Sequence, residues 1–294
     1  MNQNLYNYFM QELRNRKINP QQSFYHYTSS NGLNGILKNK KIWFSNTKFL
    51  NDEQERCYTY KLLIEEINKM PYSKLNDGLK CYYDENSKER NNVNTNIFEY
   101  DYYVACFSNN KDSLSLWNYY TKSDSSTGFN IEFDKQDLIN ALNLTPMDIH
   151  GQVIYDESEQ RKLIQNILRK YNEEYNELQN NNINSQLKIN IEMSQLINFY
   201  SLFFKHPAFK NEEEYRIAIG KNRINNNKFK CLFRSYKDMF IPYFEKEIPQ
   251  TCIKSITISP TQKQIITQES IKNMLDEMDY KRTKVKVSNI PLRY

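Results

Sequence analysis

Acidic residues crowd in front of a predicted strand in the stretch Glu212-Glu213-Glu214-Tyr215-Arg216. Side chains two residues apart in a strand point the same way, so we expect Glu212 and Glu214 to share one face and Tyr215 to take the other. Two carboxylates held together raise at least one pKa, which favours proton transfer. Arg216 shares the face of Glu214 and can orient that carboxylate or bind a phosphate. The alternative is a solvated turn, because charge runs usually mark the surface.

The three histidines do not define a site by themselves. His26 lies in a short aromatic strand, where a satisfied strand histidine is the simplest interpretation. His150 precedes a predicted strand and has no partner nearby in the sequence, so we expect it to be structural or exposed. His206 follows a predicted helix, whose C-terminal dipole favours a cation.

Aromatic residues follow the predicted buried strand that ends in Cys106-Phe107-Ser108. Trp117 and Tyr120 are three residues apart on the next predicted helix and share a face. They are either core residues or an aromatic wall for a flat ring. Cys106 has no neighbouring base that would make it a nucleophile. The five cysteines contain no CxxC pair, so the spacing predicts neither a zinc site nor a disulfide framework.

Strands and helices are mixed without regular β-α-β alternation, and most strands alternate apolar and polar residues. This favours an α+β protein with a mixed or antiparallel sheet and helices packed around it. The predicted strands are 24–28, 41–45, 102–108, 128–133, 151–155, 215–219, 237–245, 252–259 and 284–287. The predicted helices are 1–16, 32–39, 53–70, 113–120, 135–142, 158–178, 191–205 and 267–278. No Gly-rich phosphate loop occurs, so dinucleotide-fold and P-loop fingerprints are missing.

The length suits one large domain or two small ones. The chain has 294 residues and a net charge of +5, which is not a nucleic-acid footprint. We expect one domain over 1–294, with an N-terminal helix and a mobile Asn-rich insertion near 72–100. No signal peptide and no membrane span are predicted. Reduced thiols in the cytoplasm are the default.

Taken together, the motifs resemble the bacterial domain of unknown function 2971. They run from Tyr25-His26-Tyr27-Thr28 through Ile42-Trp43-Phe44-Ser45, Leu50-Asn51-Asp52-x-x-Glu55, Cys106-Phe107-Ser108, Leu116-Trp117-x-x-Tyr120 and Phe204-Lys205-His206 to Glu212-x-Glu214-Tyr215-Arg216 and Pro291-Leu292-Arg293. We interpret Asn51, Asp52 and Glu55 as a loop and helix cap. The family itself implies no activity.

That family is in turn similar to the ADP-ribosyltransferase superfamily. This resemblance implies a split β-sandwich that binds NAD in a cleft where His26, Glu214 and an aromatic residue converge. The implied catalytic residues are Glu214, which stabilises the ribose cation, and Glu212, which activates the acceptor. The implied cofactor-binding residues are His26, Tyr27, Thr28, Ser45, Ser108, Trp117, Tyr120 and Arg216. The resemblance leaves the acceptor of ADP-ribose unknown: a protein, a nucleic acid or a small molecule is open, as is plain hydrolysis of NAD. It suggests a bacterial cytoplasmic protein in a toxin or phage-defence setting.

Two other functions stay open at this point. A non-catalytic ligand-binding or interaction module could use the same fold. A metal-dependent nuclease or hydrolase could use the acidic cluster, but no His or Asp spacing supports a metal site. We therefore expect NAD as the substrate and no metal.

Overall fold

The structure is a computed structural model that describes residues 23–49, 53–80, 100–120, 127–144, 148–178, 183–222, 230–236, 238–261 and 263–291. The predicted N-terminal helix 1–16 and the loop and cap residues Asn51 and Asp52 lie outside these ranges. So does the greater part of the Asn-rich insertion, of which 72–80 and Tyr100 are described.

Ten strands occur in the described part of the chain, and their order follows the sequence prediction closely. They are β1 (Ser23–Thr28), β2 (Lys41–Asn46), β3 (Tyr100–Ser108), β4 (Phe129–Asp134), β5 (Ile149–Gln152), β6 (Glu214–Asn222), β7 (Leu232–Tyr236), β8 (Met239–Glu247), β9 (Ile253–Ile258) and β10 (Lys284–Val287).

Seven α-helices of seven residues or more accompany these strands within the same described ranges. They are α1 (Ser30–Asn39), α2 (Glu53–Asn68), α3 (Leu114–Tyr120), α4 (Lys135–Ala141), α5 (Glu157–Leu178), α6 (Ile183–Phe203) and α7 (Gln264–Glu277). Ser29 caps α1, because its hydroxyl accepts a hydrogen bond from the backbone N–H of Gly32 at 3.3 Å. Helix α6 begins well before the predicted residue 191, so the predicted linker 179–186 is wrong from Ile183 onward.

The strands form one mixed sheet, which confirms the α+β prediction. Its main path is β10-β9-β4-β1-β3-β2-β8-β7, and β6 pairs with both β3 and β5. Strands β9 and β10 are parallel, whereas β1–β3, β1–β4 and β2–β8 are antiparallel. Strand β3 therefore has three partners: β1, β2 and β6. A strand has only two edges, so two of these partners must pair with successive stretches of one edge, and the sheet branches at β3.

The described residues form two compact units. The helical unit contains the described residues between 51 and 100 and between 153 and 209, where α2, α5 and α6 pack against one another. The sheet unit contains those between 19 and 50, between 101 and 152 and between 210 and 294. The expectation of a single domain stays a prediction.

One face of the sheet carries the main core of the sheet unit. Phe24 of β1 stacks on Phe107 of β3 with ring centroids 5.3 Å apart, and the Tyr215 ring of β6 lies 4.4 Å from Phe24. All three rings are almost fully buried. Because side chains alternate along strands, this row of rings identifies which face each neighbouring side chain takes.

Candidate functional site

The acidic stretch does not form a continuous strand. A 3₁₀ helix (Pro207–Glu212) ends at Glu212, Glu213 has a positive φ of 45°, and β6 begins at Glu214. The left-handed residue changes the direction of the chain, so the two-residue alternation does not extend back to Glu212. The basis for predicting that Glu212 and Glu214 share a strand face is therefore wrong.

Glu214 and Arg216 form a buried ion pair. Arg216 Nε donates to Glu214 Oε1 at 2.7 Å, and Arg216 Nη2 donates to Oε2 at 2.9 Å. The two residues are 5% and 3% exposed. This two-point contact fixes the plane of the carboxylate as well as its position. It confirms that Arg216 shares the face of Glu214 and orients it, and it excludes the solvated turn for these residues.

The turn after β3 contacts the entrance of β6 through several hydrogen bonds. Ser108 Oγ donates to the backbone oxygen of Glu212 at 2.7 Å and accepts from the backbone N–H of Asn110 at 2.9 Å. The backbone N–H of Asn109 donates to the Glu213 carbonyl at 2.9 Å. Asn110 Nδ2 reaches Glu213 Oε1 at 3.2 Å. Ser108 thus lies beside the acidic residues, and its hydroxyl contacts the backbone of Glu212.

Sequence reasoning did not assign a role to Asn109 or Asn110. Asparagine directly after a strand is a turn signal, because its side chain hydrogen-bonds nearby backbone. Asn110 follows that rule, since its Oδ1 accepts from the backbone N–H of Asp112 at 3.1 Å. The connection from this turn to the entrance of β6 depends on tertiary structure and leaves no local pattern.

Tyr27 and Trp117 are core residues of the sheet unit. Their rings meet edge to face with centroids 4.7 Å apart, and they are 7% and 3% exposed. Tyr27 Oη donates to the Asn110 carbonyl at 2.9 Å and accepts from the backbone N–H of Ser113 at 3.0 Å. Trp117 Nε1 donates to Asp112 Oδ1 at 2.8 Å. Burial raises the pKa of Tyr27.

These contacts decide one open alternative. The core interpretation is confirmed for Trp117, and a stacking wall for a flat ring would need another residue. Tyr119 is 74% exposed. The side chain of Tyr120 lies outside the described part, so its assignment stays a prediction.

Asp112 also anchors the described C-terminal segment. Its Oδ1 accepts from Ser288 Oγ at 2.7 Å, and its Oδ2 accepts from the backbone N–H of Asn289 at 3.0 Å. Together with Trp117, this gives the carboxylate three donors from two parts of the sheet unit. Asp112 therefore has a structural role that holds α3 and the residues after β10 in place.

His26 lies on the opposite face from Glu214. It alternates with Tyr27 and shares the face of Phe24, and its ring lies 5.9 Å from that of Phe107. Glu214 alternates with Tyr215, whose ring packs on Phe24. His26 Nδ1 lies 3.1 Å from the Cys106 carbonyl, and burial lowers its pKa. The expected convergence of His26 and Glu214 is therefore wrong.

Thr28 and Ser45 pack against other elements of the sheet unit. A Cβ added to Gly32 would lie 2.0 Å from Thr28 Oγ1, so the first turn of α1 approaches Thr28 closely. Ser45 Oγ accepts from Arg234 Nη2 of β7 at 3.3 Å. Thr28 therefore contacts α1, and Ser45 contacts β7.

A second polar cluster lies on the His26 face. His150 Nδ1 is 2.6 Å from Tyr215 Oη, and Lys135 Nζ lies 4.8 Å and 5.1 Å from the ring centroids of Tyr215 and Phe24. Burial lowers the pKa of Lys135, and burial followed by the Lys135 charge lowers that of His150. His150 is thus half-buried with a tyrosine partner, a contact that its sequence neighbours did not indicate.

Two further features concern the described residues only. The described residues contain no group of three His, Cys, Asp or Glu side chains that could hold a metal ion. None of their helices combines the length and the apolar character that crossing a membrane requires.

These features define an α+β protein with a branched sheet and a buried Glu–Arg pair at the entrance of β6. Residues 116–217 match the family model described as Protein of unknown function (DUF2971). This confirms the predicted family over the segment from Leu116 in α3 to Ile217 in β6, which includes the acidic stretch. The chain matches no curated protein and no solved structure.

Proposed function

We propose that this protein is an NAD-consuming, ADP-ribosyltransferase-like enzyme with Glu214 as its catalytic carboxylate. The observation that carries the proposal is the buried Glu214, whose two oxygens are held by Arg216 at the entrance of β6. The side chain is fixed before any substrate arrives, so it need not reorganise during the reaction. Preorganised charge in a dry site is worth far more than in water.

The proposed reaction breaks the bond between nicotinamide and ribose. Nicotinamide leaves with the bonding electron pair, and positive charge develops on the ribose. Glu214 accepts a hydrogen bond from a ribose hydroxyl and stabilises that charge. The nucleophile of the acceptor then bonds to the ribose carbon and passes its proton to Glu212. Removing one preorganised group of this kind costs about 3–4 kcal/mol of the barrier.

The donor and acceptor set at this site suits the ribose end of NAD. An ionised carboxylate only accepts hydrogen bonds, so the Glu214 side chain suits a ligand group that donates, such as a ribose hydroxyl. Three consecutive glutamates next to one arginine repel a pyrophosphate, whereas hydroxyl groups can donate to them. We therefore assign the nicotinamide ribose to this region and leave the phosphate role of Arg216 out of the proposal.

The branching of the sheet also supports the proposal. The resemblance implies a split sheet, and β3 pairs with three strands. The expected acceptor, a protein or a nucleic acid, and the cytoplasmic toxin or phage-defence setting belong to this proposal as well.

A non-catalytic binding or interaction module is the second candidate. His26 lies on the face opposite Glu214, and Trp117 is buried with its N–H bound to Asp112. Two residues that the resemblance assigns to NAD are therefore engaged in the core. In this alternative the Glu214–Arg216 pair is purely structural.

Nicotinamide release from NAD by purified protein, measured by chromatography, separates the two candidates. Because each single substitution disturbs a buried pair, the test variant is Glu214→Gln/Arg216→Gln. The matched control is Glu173→Gln/Arg169→Gln, at an ion pair whose side chains are 49% and 56% exposed.

We expect release by the wild type and the control, and a rate lower by about 10²–10³-fold in the test variant. Equal rates in the test variant and the wild type would exclude Glu214. No release by the wild type, with or without protein and nucleic-acid acceptors, would favour the binding module.

A further inference from the structure

Asn109 carries a buried hydrogen-bond donor beside the acidic residues. It is 5% exposed and directly follows the last residue of β3. Its side-chain nitrogen Nδ2 has no hydrogen-bond partner among the described residues. Its backbone N–H donates to the Glu213 carbonyl at 2.9 Å, so Asn109 and the entrance of β6 are directly adjacent.

Among the described residues, the side-chain hydrogen bonds of this turn come from Ser108 and Asn110 and not from Asn109. The Asn110 side chain stabilises the turn, since it hydrogen-bonds both Glu213 and the backbone of Asp112. A buried donor without an acceptor costs stability, and replacing it with an apolar group of similar shape is neutral or stabilising. Asn109 lies next to the proposed substrate site, so a bound ligand that supplies the acceptor would explain its unpaired donor.

The chemistry of the neighbouring groups indicates which ligand atom this is. Glu212, Glu213 and Glu214 can accept from the ribose hydroxyls, but they have nothing to donate when ionised. The nicotinamide carboxamide oxygen carries no hydrogen and needs a donor. The nearby donors are already engaged, since Ser108 donates to Glu212 and Arg216 donates to Glu214.

We propose that Asn109 Nδ2 donates to the carboxamide oxygen of nicotinamide at the entrance of β6. The inference rests on the proposed function and makes Asn109 a specificity-determining residue. A site built to hydrogen-bond a polar group discriminates strongly against an analogue without it.

The test compares Asn109→Leu and Asn109→Ala with the wild type. The control is Thr59→Val in the helical unit, because Thr59 Oγ1 is likewise buried without a partner among the described residues. Binding of nicotinamide and of 3-methylpyridine, which lacks the carboxamide, is measured by calorimetry, and the melting temperature of every variant is recorded.

We expect Asn109→Leu to melt at or above the wild-type temperature and to bind nicotinamide about tenfold more weakly or worse. Both Asn109 variants should lose the preference for nicotinamide over 3-methylpyridine, and Thr59→Val should keep it. Wild-type affinity and preference in both Asn109 variants would overturn the inference and leave the role of Glu214 intact. So would a marked loss of stability in both variants, because the amide would then be structural. A wild type that neither binds nicotinamide nor cleaves NAD would overturn both proposals.

Discussion

The strongest energetic prediction concerns the Glu214–Arg216 pair. Both residues are almost fully buried, so removing one charge leaves the other in a low-dielectric environment without its principal partner. Breaking a buried pair in this way costs about 3–5 kcal/mol. The total stability of a domain is about 5–15 kcal/mol, so Glu214→Gln alone should destabilise the sheet unit severely.

Removing both charges should cost much less than the sum of the single substitutions. We expect Glu214→Gln/Arg216→Gln to recover about 2–3 kcal/mol relative to additivity. The apolar pair Glu214→Leu/Arg216→Met should unfold with nearly the wild-type free energy, since apolar replacements of buried pairs are often neutral or better. The exposed pair of Glu173 with Arg169 provides the comparison, with an expected coupling of about 0.3–0.5 kcal/mol.

Urea unfolding followed by tryptophan fluorescence suits this cycle. The chain has two tryptophans, Trp43 and Trp117, and both belong to the sheet unit that contains the pair. A coupling energy no larger than that of the exposed pair would refute the reasoning, because it would mean that water screens Glu214 and Arg216. Such a result would also remove the dry environment on which the proposed catalytic role depends.

Other features of the sheet unit and the proposed reaction lead to three more predictions. Gly32→Ala should destabilise the protein by about 1–3 kcal/mol because the added Cβ would lie 2.0 Å from Thr28 Oγ1. Gly35→Ala in the same helix has open space around the added Cβ and should stabilise the protein by about 0.5–1 kcal/mol. Equal melting temperatures for the two variants would contradict this prediction. His26 and His150 have pKa values below the ordinary 6.5, so the unfolded state takes up protons first and stability should fall as the pH drops below 6.5; urea midpoints at pH 7.5 and 5.5 should show a smaller loss in His26→Gln than in the wild type. NAD cleavage should persist in EDTA, whereas loss of activity that magnesium or manganese restores would favour a metal-dependent nuclease or hydrolase.

Local patterns predicted the elements whose signals lie within a few residues. Strand β10 has its predicted bounds. The sequence pattern predicted a single strand over 237–245 and missed β7, which comes directly before it. Tyr236 pairs with Met239, so only two residues separate β7 from β8, and these are Lys237 and Asp238 rather than the glycine-containing pair that marks such hairpins.

The site was less predictable, for physical reasons. The pairing of Glu214 with Arg216 follows from strand alternation and was predicted. The left-handed backbone of Glu213 was not, since glutamate rarely adopts a positive φ. The position of His26 depends on which strands neighbour β1 and β6, and single-strand alternation gives a face without saying which side of the sheet it is.

The order of pairing in the sheet has a consequence for synthesis on the ribosome. Strand β2 pairs with β8 and β4 pairs with β9, so strands that are synthesised early pair with strands that are synthesised much later. At about 5–20 residues per second, the interval between β4 and β9 is roughly ten seconds. During that time the nascent chain presents unpaired strand edges, which are templates for aggregation. Folding yield in the cell should therefore depend on chaperones that hold the emerging chain until its last third is complete.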